Sequence, residues 1–208
     1  MKNQFVGNQI IKLNSVDSTN NYTAKLVNET NISFGTVIMA DFQTRGKGQR
    51  SSYWKSEKGL NLLISIYFDS SFLIFENVFY LSKAIALAIR ECVEKIIGTQ
   101  VLIKWPNDIL VNGSKISGVL IENQWKNEKL MSSIIGVGLN VNQVVFPGED
   151  NVLSLNNLTS KVYNLNSILK SLCLCLDTQF SRLRNFDFFD IDCQYHSFLF
   201  NYNQWSNY

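Results

Sequence analysis

Histidine is almost absent from this chain: His196 stands alone among 208 residues. A Ser/His/Asp triad or a His-rich metal site would have to form around that one residue near the C-terminus, so His196 is read as structural. Proline is nearly as scarce, and two prolines leave no long extended linker. Charge of one sign is lacking too. A formal net charge of +2 excludes a broad nucleic-acid surface, because displacing counterions from phosphates takes many clustered Lys and Arg. Residues 1–11 hold no apolar core for a signal peptide and no span for a membrane, so a cytoplasmic location is expected. Cys92, Cys173, Cys175 and Cys193 have apolar neighbours and no CxxC spacing, which predicts buried free thiols rather than a metal site.

What is present is the balance of a globular chain, 46% hydrophobic and 17% charged, long enough for one well-buried domain. The short polar residues Asp17, Ser18, Thr19 and Asn20 mark a strand-to-helix junction before a helical stretch over residues 22–27. Residues 36–43 read as a strand that feeds a polar, glycine-rich loop, and residues 60–68 resume a strand. The spacing over 78–97 predicts a long amphipathic helix ending at Gly98. Strands at 101–104, 109–111, 115–122 and 131–141 follow, with Asn112-Gly113 as a hairpin turn. After a loop over 146–151, helices are predicted over 165–183 and 186–200. No internal repeat occurs. Strands first, one long inserted helix and helices last imply an α+β domain on a mixed, mainly antiparallel sheet.

Several segments can carry chemistry. In the run from Gln43 to Arg50, Gly46 and Gly48 let backbone N–H groups approach an anion, and Arg45, Lys47 and Arg50 add positive charge. The spacing is neither a P-loop nor a Rossmann fingerprint. Lys104-Trp105-Pro106-Asn107-Asp108 places a lysine at the end of an apolar strand and stiffens the chain behind it with proline. Such an ammonium can stabilise charge developing on a phosphate or a carboxylate. Glycines inside apolar strands, Gly118 in Lys115-Ile116-Ser117-Gly118 and Gly136 and Gly138 before Asn140, mark a close approach of backbone or ligand, or a β-bulge. Taken singly, each segment is equally a basic turn, a strand end or a bulge.

Taken together and in order, these segments resemble the catalytic domain of the biotin protein ligases. The motifs are Asp17-Ser18-Thr19-Asn20, Ala40-Asp41-Phe42-Gln43-Thr44 with its Gly-basic loop, Trp54 with Gly59-Leu60-Asn61-Leu62, Lys104-Trp105-Pro106-Asn107-Asp108, Lys115 to Glu122, and Gly136-Val137-Gly138-Leu139-Asn140. The resemblance implies a fold related to class II aminoacyl-tRNA synthetases and lipoate ligases. It implies that biotin is activated with Mg-ATP to biotinyl-AMP and passed to a lysine of a biotin carboxyl carrier protein, of acetyl-CoA carboxylase or a related carboxylase. By the same resemblance Ser18, Thr19, Asn20, Gln43, Lys47, Gly48 and Gln49 hold biotin, and Lys104 is the catalytic residue, facing the biotin carboxylate and the α-phosphate. Gly46, Arg50, Trp54, Asn107, Asp108 and Asn140, with the segment 146–155, then lie near the nucleotide. Mg²⁺ accompanies ATP, with ligands that the sequence does not identify.

The pattern departs from the family at two places. Many members read Gly-Arg-Gly-Arg where this chain has Gly46-Lys47-Gly48-Gln49, so an amide replaces a charge and a lysine replaces a bidentate arginine. Looser retention of biotinyl-AMP is the expectation, unless Arg50 compensates. At the ends, residues 1–208 read as a single catalytic domain with neither a helix-turn-helix nor an SH3-like C-terminal domain, which makes binding to DNA unexpected. Lipoate or octanoate transfer is the alternative within the fold, and a non-catalytic biotin-binding protein the alternative outside enzymes. Oligomeric state stays open, a homodimer through sheet edges being one form that relatives take.

Overall fold

In the computed structural model, residues 5–49 and 52–202 are described, and the predicted α+β class holds. Seven strands form one sheet: β1 (Ile10–Leu13), β2 (Val37–Ala40), β3 (Leu62–Asp69), β4 (Leu102–Lys104), β5 (Asp108–Val111), β6 (Ser114–Lys126) and β7 (Lys129–Leu139), in the order β1-β2-β3-β7-β6-β5-β4. Only β1 and β2 run parallel, and every other neighbouring pair is antiparallel. Short turns such as Asn112-Gly113, both in the left-handed region at φ 51° and 78°, join β4 to β5, β5 to β6 and β6 to β7. Antiparallel pairing needs no crossover, so β5, β6 and β7 follow one another in a meander.

Helices cover the sheet. α2 (Val78–Ile97) carries the predicted bounds and ends at Gly98, whose φ of 70° lets its N–H reach Glu94 O at 2.8 Å. With α4 (Leu165–Arg184) and α5 (Phe188–Ser197), α2 packs over a core that includes Leu62, Ile64, Ile66 and Phe68 of β3. α1 (Thr19–Glu29) instead packs against β2, β3 and β7 and, through Asn20, meets Ser65 and Gly136. Strand alternation therefore divides β3 between a core face and a face with hydroxyls and glycine near α1. A short α3 (Leu155–Thr159), capped by Ser154, follows the loop after β7 and has no periodicity to announce it.

Two expectations are corrected here. The helix predicted over 186–200 is shorter, because Phe186 turns the chain at φ 60° and Phe198 to Phe200 leave the helix for the sheet edge. Ile103 N donates to Phe198 O and Phe200 N donates to Ile103 O, both at 2.8 Å. Backbone groups on an edge strand need partners, and these satisfy them. Cys92, Cys173 and Cys175 are buried thiols as predicted, and burial pushes the Cys173 thiol up to about 12. Cys193 is exposed. Ile191 and Tyr195 form the buried face of α5, and a residue halfway between them points the other way. Among the described residues no helix is long and apolar enough to cross a membrane.

Candidate functional site

A cavity of about 240 Å³ opens where α1, the loop between β2 and β3, and the segment after β7 converge on the central strands. Its inner end is built from short polar side chains that fix one another. Gln43 Oε1 accepts from Thr19 N at 2.8 Å and from Thr19 Oγ1 at 3.0 Å. With its oxygen engaged, Gln43 presents Nε2 as the donating end of its amide. Ser65 Oγ lies 2.7 Å from Thr19 Oγ1 and 2.5 Å from Asn20 Oδ1, sharing one hydrogen between two acceptors. A Cβ on Gly136 would come within 2.5 Å of Asn20 Oδ1, so only glycine lets that amide lie against β7. Ser18, Thr19, Asn20 and Ser65 are all buried. At the same junction a hydrogen bond from Asn21 holds the Asp17 carboxyl below its usual range.

The opposite end carries charge. Lys115, the second residue of β6, extends along the cavity wall and pairs with Asp108 at 2.8 Å. Its ammonium lies 5.6 Å from the centre of the Trp54 ring. The backbone of Lys115 is held on both sides, its N–H by Asn151 O at 2.8 Å and its carbonyl by Leu153 N at 3.0 Å. The segment 146–155 therefore clamps the lysine, and Phe146, Glu149 and Val152 join the wall. Asn140, 1% exposed, donates from Nδ2 to Leu153 O at 3.1 Å. Its Oδ1 and Trp54 Nε1 are buried polar atoms without a hydrogen-bond partner among the described residues. Leaving a buried donor or acceptor unsatisfied costs about 1–3 kcal/mol, so one acceptor and one donor await complementary groups in the cavity.

Between the two ends, residues 43–49 and 52–54 meet one another and form a cover. Trp54 N donates to Gly46 O at 2.9 Å and Gly48 N to Ser52 O at 2.8 Å. Three side chains fasten it to the sheet. Lys47 Nζ meets Glu122 Oε1 at 3.1 Å, and Gln49 Nε2 donates to Asn107 Oδ1 at 2.8 Å. The Trp54 indole lies on a glycine floor, where a Cβ on Gly138 would stand 2.4 Å from the ring and one on Gly118 3.0 Å from it.

Of the residues singled out by sequence, Ser18, Thr19, Asn20, Gln43, Lys47, Gly48, Gln49, Trp54, Asp108 and Asn140 line the cavity. Gly46 stands behind the wall, where a Cβ would meet Trp54 O at 2.4 Å. Asn107 is buried and holds Gln49 and Ser82 rather than facing the cavity. Arg50 lies outside the described residues. Lys104 is not among the residues that line the cavity. It pairs in register with Asp108 but belongs to β4, the outermost strand, about 4.8 Å further from the central strands. Lys115 lines the cavity instead. The sequence predicts its strand, and a lysine three residues before a strand glycine is the signal that singles it out. His196, beside Asp192 at 3.2 Å, stands apart from the cavity wall.

The sheet order and the helices packed on it define an α+β domain with one cavity that joins an amide-lined end to a lysine-bearing end. The chain belongs to the Biotin/lipoate A/B protein ligase family, whose model matches residues 13–140. It is 32% identical over 184 residues to the Bifunctional ligase/repressor BirA of Bacillus subtilis, covering 86% of this chain and 56% of that protein. Against the Biotin--[acetyl-CoA-carboxylase] ligase of Mycobacterium tuberculosis, identity is 28% over 154 residues, 73% of this chain and 56% of that one. The chain thus spans a little over half the length of these curated relatives. Among solved structures, a biotin protein ligase from Aquifex aeolicus in complex with biotin and ATP superposes with a TM-score of 0.80 at 30% identity, covering 93% of this chain and 79% of that one.

Proposed function

We propose that this chain activates biotin with ATP and transfers it to a lysine of a biotin carboxyl carrier protein, such as that of acetyl-CoA carboxylase. One observation carries the reading: a single cavity joins an array of fixed amides and hydroxyls at one end to the Lys115–Asp108 pair at the other. The ureido ring of biotin offers N–H donors and a carbonyl acceptor in fixed geometry, and Asn20 Oδ1 and Gln43 Nε2 supply the matching polarity. The valerate chain then runs toward Lys115. In the first step a carboxylate oxygen attacks the α-phosphorus and pyrophosphate leaves. Two anions approach one another, and the ammonium of Lys115, held in place before the reaction by Asp108, offsets the repulsion as charge builds. Asn140 Oδ1, lacking a donor, suits the exocyclic amine of adenine. Trp54 Nε1, lacking an acceptor, suits an oxygen of the carboxylate or phosphate.

In the second step the neutral amine of the acceptor lysine attacks the carbonyl of the mixed anhydride, AMP leaves, and the amine loses a proton. Until then the anhydride must be kept from water, a task that suits the cover of residues 43–49 and 52–54, several of which line the cavity. Mg²⁺ serves to neutralise the triphosphate. Glu149 and Asp108 are the carboxylates of the cavity wall that would hold it beside the phosphates.

The cytoplasm is the place of action in this reading. Phe198 and Phe200 already bond the outer side of β4, so a homodimer made by sheet pairing would use β1. Lipoate fits less well, since a dithiolane ring would leave the inner amides unpaired. Pyrophosphate release separates the readings: release is expected with biotin and ATP and not with lipoate and ATP. Release with lipoate alone would assign lipoate, and release with neither acid would leave a biotin-binding protein.

A further inference from the structure

Glu122 of β6 is not part of the cavity wall, yet both of its partners are. Its Oε2 accepts from Asn20 Nδ2 at 2.8 Å, and its Oε1 accepts from Lys47 Nζ at 3.1 Å. A second hydrogen on Asn20 Nδ2 points to Leu120 O at 3.4 Å. The amide nitrogen of Asn20 is thus engaged by the sheet, and its Oδ1 is turned to Ser65 and to Gly136, the second of these a residue of the cavity wall. Exchanging the two ends of that amide would set Oδ1 against the Glu122 carboxylate and replace a charge-assisted hydrogen bond with repulsion. The same carboxylate anchors the cover through Lys47. One side chain therefore touches the recognition end and the cover together.

We infer that Glu122 is a positioning residue that fixes Asn20 as an acceptor toward the bound ring and seats Lys47 over the cavity. The inference rests on the biotin reading only for its ligand. With the acceptor fixed in advance, an N–H of the ureido ring meets an oriented lone pair and no rotamer has to be selected on binding. Seating Lys47 brings one end of the cover down on the same strand that carries Lys115. An isolated half-exposed ion pair contributes little, so the effect of Glu122 lies chiefly in the polarity of Asn20.

Two variants separate the two contacts. Glu122→Ala removes both, whereas Glu122→Gln keeps an oxygen that accepts from Asn20 and loses the anion for Lys47. In pyrophosphate release, Glu122→Ala is expected to raise the KM for biotin about fivefold, with kcat and the KM for ATP within about twofold of wild type. Glu122→Gln recovers most of that biotin KM. Without ligands, amide hydrogen exchange over residues 44–49 is faster than wild type in both variants. An unchanged biotin KM in Glu122→Ala, a loss confined to kcat, or unchanged exchange in both variants overturns the inference. If the wild-type chain releases no pyrophosphate with biotin, the proposed function fails, and the exchange experiment still decides whether Glu122 seats the cover.

Discussion

The two regions that enclose the cavity are built in opposite ways. At the inner end, Thr19, Gln43, Ser65 and Asn20 are buried or partly buried and bond one another at 2.5–3.0 Å, so their donors and acceptors are set before a ligand arrives. The cover is tied by backbone bonds only at its start, Thr44 N to Val16 O and Arg45 N to Asp17 O, and beyond them by side-chain contacts: Lys47 to Glu122, Gln49 to Asn107 and Trp54 on glycine. Its residues 52, 53 and 55 are exposed. A fixed floor and a cover held at a few points suit a reaction in which a ring must be recognised and a large acceptor must later gain access to the product. Lys115 lies where they meet, borne by the floor strand and topped by Trp54 of the cover.

Removing Lys115 breaks the comparison most severely, because it takes away the charge on which both regions converge. Lys115→Ala is expected to lower kcat for pyrophosphate release by about 10²–10³-fold, the scale seen when one preorganised electrostatic group is lost, while Lys104→Ala stays within about threefold of wild type. A comparable loss in both variants would return the role to Lys104. Next in size is Gly138→Ala, which places a methyl group 2.4 Å from the Trp54 ring position. The indole must leave its floor, at a cost of about 1–3 kcal/mol in denaturant-induced unfolding, and hydrogen exchange in the cover rises while that of α1 stays as it is. Equal stability and equal exchange would mean that the cover does not depend on this seat.

The mildest expected effect is at Gln49, the place where the loop departs from an arginine-bearing pattern. Its amide is used by Asn107 and, at 3.4 Å, by Val119 O, which makes it an anchor of the cover rather than a vacant position. Gln49→Arg gives up the Asn107 contact and gains a cation, so biotinyl-AMP is expected to dissociate about threefold to tenfold more slowly. Release rates of the isolated adenylate measure this directly. Unchanged rates would show that anchoring by Gln49 serves retention as well as charge does.

Much of this organisation could be read before any coordinates. The long apolar period of 78–97 with glycine behind it became α2 with the same bounds, and Asn112-Gly113 became the β5–β6 turn. Ser18, Thr19, Asn20 and Gln43, separated by more than twenty positions in sequence, meet as expected because β1 and β2 run side by side and each leads into the same corner. The lysine was less accessible. Lys104 and Lys115 each stand at the margin of an apolar run, and local pattern does not tell a central strand from an edge one. Ser65 and Glu122 sit in ordinary strand sequence with no motif around them, and their roles arise only where α1 crosses the sheet.

By itself, the sequence determined the class of the fold, the main helix, the hairpin, the family resemblance and most of the residues around the cavity. These follow from periodicity, turn chemistry and short motifs, which act over a few residues and are written in order along the chain. Only the tertiary structure decided which lysine faces the cavity, that Gln49 and Asn107 form an anchor, and that Glu122 joins floor to cover. Those facts depend on strand order and on side chains brought together from distant positions, where a step of two strands, about 10 Å, separates Lys115 on the cavity wall from Lys104 outside it.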